Sequence, residues 1–296
     1  MQPFRSVLVP VDLSAGTDRV VRRVGHLPLA SEAKVMLLHV VPSALSPVAR
    51  KRAASDANDA LKIQAKELAA ALPRSAQVRV QVAHGSAAAE IGAEAAASNV
   101  ELVVMGRGSG RPLRDVFLGS TAERVIRNRH YPVLVVRIPA RGGYKRPMIA
   151  LDFDACAPTS LDLLLRLVPA PRPPIGVIHA FEVPYRGMIY PSLSQDDIEA
   201  VNDGYREEAS EKIATTLGDA LAQLNLPADE IPQWKPQVRY GSPRMVIKQV
   251  VRRQDSDLLV LGTHGHSGIM HAFLGTVAGD VLRDVPCDVL MVPPRH

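Results

Sequence analysis

The chain has 296 residues, room for two domains of ordinary size, with 47% hydrophobic and 22% charged residues. That balance excludes disordered and fibrous classes, and the absence of a long unbroken apolar run excludes a membrane-spanning helix. The formal net charge of +5 is unevenly divided: residues 1–143 carry 20 Lys+Arg and 11 Asp+Glu, a balance of +9, while residues 144–296 carry 15 and 19, a balance of −4. The basic residues are scattered, and aromatics are only 4%, which leaves little stacking surface and makes a nucleic-acid partner unfavoured. Opposite signs instead favour docking of one half on the other.

The first five residues run straight into a strand, so no signal peptide is expected. Two cysteines, Cys156 and Cys287, are too few for a disulfide framework. A cytoplasmic location is the expectation that follows.

In chain order, the apolar run at residues 7–11 ends at Asp12 and predicts a buried strand. Ser14 to Thr17 offer caps for a helix over 18–29. A second strand is expected at 35–41, stopped by Pro42. A helix follows over 56–72, where Leu61, Ala65, Leu68 and Leu72 recur at helical spacing. Val78, Val80 and Val82 alternate with polar residues and predict a third strand with one exposed face. Gly85-Ser86 opens a helix to residue 98. A fourth strand at 102–105, a helix at 121–128 and a fifth strand at 133–137 complete the set.

The second half replays this order, with strands at 148–151, 175–181, 237–239, 258–261 and 289–292 and a helix opened by Gly241-Ser242. Residues 139–147, rich in Gly, Pro and basic side chains, read as an exposed linker between domains at 1–138 and 148–296. The halves differ most at 43–55 and 182–205, which read as a surface flap or interface. Strands alternating with helices imply two tandem open α/β sheets, mainly parallel and five-stranded, with helices on both faces.

In such sheets ligands bind beyond the carboxyl ends of the strands. Each half has two glycine turns there. The first runs from Gly106 to Gly119-Ser120, the second from Gly262 to Gly275-Thr276. Paired glycine turns before a helix can form a nest of backbone N–H groups for an anion. No P-loop, GxGxxG or GxSxG pattern is present. His264, His266 and His271 lack a carboxylate or Cys spaced to complete a metal site.

With these residues in view, each half resembles a universal stress protein domain. The resemblance rests on strand one ending in Asp and strand two carrying His-Val. It rests further on the turn G-x2-G-x9-G-[ST] and a final Pro-Val-Leu strand. The second half matches the turn fully as Gly262-x2-Gly265-x9-Gly275-Thr276; in the first half Ser109 stands where the middle glycine belongs. The resemblance implies a Rossmann-like or flavodoxin-like fold and an adenine-nucleotide partner, ATP with or without magnesium. It carries the nucleotide contacts onto Asp152, Ala180, Leu261, Gly262, His264, Gly265, Gly275, Thr276 and Val277 in the favoured second half. The corresponding first-half residues are Asp12, Val40, Met105, Gly106, Gly119, Ser120 and Thr121. It implies pairing through the last strands within one chain, with a homodimer of chains as a further level. No positioned base or nucleophile is evident, so at most slow hydrolysis is expected. The alternative reading is an interaction scaffold of the same fold that binds no nucleotide.

Overall fold

A computed structural model describes residues 1–108, 120–127, 131–153, 156–182, 194–263 and 275–294. The first half contains β1 (Phe4–Pro10), α1 (Thr17–Val24), β2 (Leu29–Pro42), α2 (Pro47–Ala71), β3 (Gln77–Gly85), α3 (Ala87–Ala97), β4 (Leu102–Gly106), α4 (Ser120–Arg127) and β5 (Val133–Val136). The second contains β6 (Pro147–Ala150), α5 (Ala157–Leu167), β7 (Ile175–Phe181), α6 (Gln195–Leu224), β8 (Trp234–Tyr240), α7 (Pro243–Arg253), β9 (Leu258–Gly262), α8 (Thr276–Asp284) and β10 (Asp288–Val292).

All ten strands form one sheet in the order β3-β2-β1-β4-β5-β10-β9-β6-β7-β8. Within each half the pairs are parallel. At the centre β5 and β10 meet antiparallel, Val289 opposite Val135, Leu290 opposite Leu134 and Met291 opposite Val133. Two apolar clusters cover the two faces, and each runs through both halves. One is built on α1, α2, α5 and α6, the other on α3, α4, α7 and α8. Among the described residues no helix is long and apolar enough to cross a membrane.

Local chemistry moved several boundaries. The first helix stops at Val24, because Gly25 closes it with an N–H to Val21 C=O at 3.1 Å. Pro28 then breaks any continuation, its carbonyl accepting from Phe4 N–H at 2.9 Å, so β2 begins at Leu29. The second helix begins at Pro47, well before residue 56, since Ser46 Oγ caps Ala49 N–H at 3.3 Å and proline suits the first turn. Most of the stretch expected as a loop at 43–55 is therefore helix. At 182–205, Gln195 onward is likewise helix, started by a reciprocal Ser194–Asp197 capping box. Its hydrogen bonds from Ser194 hold the Asp197 carboxyl below the usual carboxylate range. Residues 183–193 lie outside the described residues.

The connection expected to be an exposed linker is exposed at residues 139, 141, 143, 145 and 146, and it is also anchored. Tyr144 is buried, its ring under the Arg23 guanidinium at 4.2 Å and its hydroxyl donating to Asp288 Oδ2 at 2.9 Å. Asp257 accepts the backbone N–H groups of Lys145 and Arg146 at 2.7 and 2.9 Å. The gross charge contrast does not organise this docking. Arg23 pairs with Asp288 across the halves, but Arg166 to Glu101 and Arg283 to Glu123 run in the opposite sense.

Both cysteines are buried, and burial, with Asp288 adding to it, pushes the Cys287 thiol from 9.0 to about 12. Burial and Asp288 also push the Tyr144 phenol well above 10.0. Folding favours the protonated form of both groups. Their stabilisation is complete below pH 9 and is lost as pH rises from 9 toward 12, where only the unfolded thiol is ionised. Denaturant melts across that range should show stability falling with pH. The thiols should react with Ellman's reagent at pH 8 only after unfolding.

Candidate functional site

The strand order 3-2-1-4-5 within each half puts a crevice where β1 and β4 part, and its copy where β6 and β9 part. Parallel strands flanking such a switch point send their connections to opposite faces, leaving the space beyond their ends open.

In the first half the mouth is shaped by the turn after β1. Leu13 has a φ of 55°, and Asp12 Oδ1 accepts from Ser14 N–H at 3.1 Å, Ser14 Oγ–H at 2.7 Å and Thr17 Oγ1–H at 3.4 Å. Asp12 thus ties the turn to the start of α1. Phe153, with φ 53°, repeats this left-handed step after Asp152. A non-glycine residue there costs about 1–2 kcal/mol. Finding it at equivalent places in both halves marks the turn as held by its surroundings. His39 reinforces it. Its Nδ1 lies 2.9 Å from Val11 C=O, and His179 Nδ1 lies 2.8 Å from Leu151 C=O. A carbonyl only accepts, so Nδ1 carries a hydrogen in each contact.

The first crevice measures about 590 Å³. Asp12, Val40, Met105, Gly106 and Thr121 line it, and Ser120 opens α4 beside it. Gly119 lies outside the described residues. Gly108, with φ +85°, adopts a turn that a side chain would strain. Two cations also line it. Arg107 is exposed; Arg19 donates Nη1–H to Arg137 C=O at 2.9 Å. Burial, and then Arg107, hold the Arg137 guanidinium below its ordinary value, while its Nη1–H and Nη2–H donate to the Leu282 and Arg283 carbonyls of α8.

The second crevice is smaller, about 150 Å³. Asp152, Ala180, Leu261, Gly262, Gly275, Thr276 and Val277 line it. His264 and Gly265 lie outside the described residues. A Cβ on Gly275 would stand 3.3 Å from Thr263 C=O, so the backbone approaches closely where α8 begins. Among the described lining residues there is no Lys or Arg, and where Arg19 borders the first crevice the second half has Thr159. Ser160 lines it with a buried Oγ that has no partner among the described residues. Also among the described residues, no three His, Cys, Asp or Glu side chains converge as a metal site.

Sequence reasoning put the strand ends in two groups, and the structure sets those among the described residues at the two crevices. It missed Thr17, Arg19, His39 and Arg107. The spacing from His39 to His179 equals that from Asp12 to Asp152, and this was the available signal for the histidines. Arg19 and Arg107 had none, being ordinary charges on a helix and a turn.

The profile of the universal stress protein family matches residues 3–137 and again 143–293. The chain belongs to the universal stress protein family. A universal stress protein of Mycolicibacterium smegmatis is 25% identical over 302 residues, covering 98% of this chain and 97% of its own. One from Synechocystis is 27% identical over 154 residues, 51% of this chain and 98% of its own. In fold, the chain is similar to a universal stress protein from Archaeoglobus fulgidus, with a TM-score of 0.70 at 17% identity, covering 99% of this chain and 98% of that one. A Pseudomonas aeruginosa UCBPP-PA14 structure described as a universal stress protein gives 0.64 at 20% identity, covering 98% and 94%. The tandem architecture is therefore shared over full length with other universal stress proteins.

Proposed function

We propose that the chain is an adenine-nucleotide-binding module, taking ATP with magnesium first in its first-half crevice. The observation that carries this reading is the contrast between the two crevices. Pockets for ligands of this size run roughly 300–1,000 Å³. The first crevice falls within that range and the second below it. Cations border only the first among the described lining residues, and a polyphosphate needs them. This reverses the order of preference that the glycine pattern suggests, since the fully matching turn belongs to the second half.

In this reading Asp12 accepts from the base or ribose, and Val40 and Met105 wall the base. The turn at Gly106–Gly108 and the start of α4 face the phosphates, with Arg107 and Arg19 alongside. Magnesium would be held chiefly by the phosphates. The titratable groups lining the first crevice among the described residues are Asp12, Arg19, His39 and Arg107. Asp12 and His39 already bond the turn, so among the described lining residues this reading assigns no side chain to activating water and expects at most slow hydrolysis.

Native mass spectrometry with ATP-Mg should give one nucleotide per chain. Gly108→Val should remove it and Gly275→Val should not. Two nucleotides on the wild type would put a working site in each half. None, with no shift in melting temperature, would favour the interaction scaffold.

A further inference from the structure

The sheet ends at β8, and the outer side of that strand floors a groove of about 500 Å³. Two hydrogen bonds reveal how β8 spends its backbone. Ile175 N–H donates to Gln233 C=O at 2.9 Å, and Gly241 N–H donates to Phe181 C=O at 3.0 Å. In a parallel ladder, alternate residues turn both their N–H and C=O to one neighbour. Odd-numbered residues of β8 therefore face β7, and Pro236 and Val238 turn their backbones outward. Pro236 occupies a position where its missing N–H interrupts no ladder bond, as proline does on edge strands. Val238 offers an outward N–H and C=O two residues on.

The rims come from opposite faces of the sheet. Arg206 and Ser210 of α6 border one side and Gln249 of α7 the other. The charged lining among the described residues is Arg239 and Arg206, the latter already paired with Asp203 on the same helix, and no acid lines the groove itself. Arg239 is half-buried and donates Nη2–H to Gln237 Oε1 at 3.2 Å, while its buried Nε has no partner among the described residues. Lys235 adds a third cation to the strand.

We propose that the β8 edge is a docking site for an acidic, extended peptide segment of a partner protein, which adds to the sheet as an eleventh strand. Main-chain bonds to Val238 would supply the register, and acids on the two sides of the added strand would meet Arg206 and Arg239. Charge decides against a second copy of the chain. Two β8 edges side by side would set Arg239 and Lys235 near their own kind, and like charges opposed across strands are destabilising. Basic residues and proline protect an edge from self-pairing; the same charges attract an acidic strand.

The test is titration of the full chain with the peptide Thr-Glu-Glu-Val-Glu-Glu-Thr, which as a strand carries acids on both of its faces, at low salt. Emission from Trp234 reads it, because this single tryptophan of the chain lies on β8. Anisotropy of a labelled peptide reads it independently. Saturable binding is expected, with no binding of the same peptide carrying Lys for Glu. Val238→Pro removes an outward N–H while leaving the bonds to β7, and should weaken binding about tenfold or more. Arg239→Glu should abolish binding and serves if the proline variant does not fold. Absence of binding, equal binding of the Lys peptide, or wild-type affinity in folded Val238→Pro would each overturn the proposal. So would a wild-type dimer in sedimentation that Val238→Pro dissolves, which would give the edge to a second copy.

Discussion

Asp288→Ala should destabilise the chain by about 3–5 kcal/mol, the range seen when one partner of a buried ion pair is removed. Asp288 has no exposure, and the donors converging on its carboxylate all come from outside its own half's strands. Oδ1 accepts from the backbone N–H groups of Arg137 and Ile138 at 2.7 and 3.0 Å. Oδ2 accepts from the Tyr144 hydroxyl at 2.9 Å and lies 2.9 Å from Arg23 Nε. Arg23 is itself 3% exposed and donates Nη1–H to Gly142 C=O at 3.0 Å. Removing the carboxylate strands a buried guanidinium, two backbone N–H groups and a phenol together. Asp288→Asn should cost less, since its amide oxygen can keep Arg137 and Ile138 while its NH₂ is set against Arg23. In a double-mutant cycle with Arg23→Leu, the two changes should fall short of additive by about 0.5–3 kcal/mol. Urea melts followed by circular dichroism measure all three. A loss under 1 kcal/mol for Asp288→Ala would show that water enters and replaces the network.

None of that network was legible in the sequence. Asp288 lies there just ahead of the strand expected at 289–292, and its partners at 23, 137, 138 and 144 share no period with it. The linker reads as exposed for the same reason, because composition sees Gly, Pro and Lys but not that Tyr144 has a buried acceptor. What was legible depended on local or repeated features. Strand runs such as residues 102–105 and 258–261 announce themselves by apolar continuity, and the glycine turns by their equal spacing. Helix starts were misplaced where the cap came far ahead of the apolar stripe, as at Ser46-Pro47. For the candidate site, residues at strand ends were found because topology alone brings strand ends together. The relative size of the crevices was not, because it depends on how α1, α3, α5 and α7 lean over them. Arg19 is held beside the site by the bond from its guanidinium to Arg137 C=O, a contact 118 residues away.

The sheet's centre leads to the second large effect. Leu134→Ala or Leu290→Ala should each cost about 2–5 kcal/mol, as buried leucines do when truncated without collapse of the site. The two face one another across the antiparallel pair and have no exposure. Both belong to the apolar cluster shared by α1 and α5, while Val135, Val289, Val133 and Met291 fill the opposite one. The seam is thus the middle of two continuous cores, not a contact between finished surfaces. Separated at this line, β5 would present four consecutive apolar residues on an unpaired edge, a strand that invites association. The two halves should therefore unfold together, and a cavity made in the first half should lower the stability reported from the second. Trp234 lies four strands beyond β10 in the sheet and reports on the second half. Its fluorescence midpoint in Leu134→Ala should shift as far as the midpoint by circular dichroism. A Trp234 transition left in place, with the circular dichroism curve splitting in two, would show that each half holds its own stability and that the seam couples them only weakly.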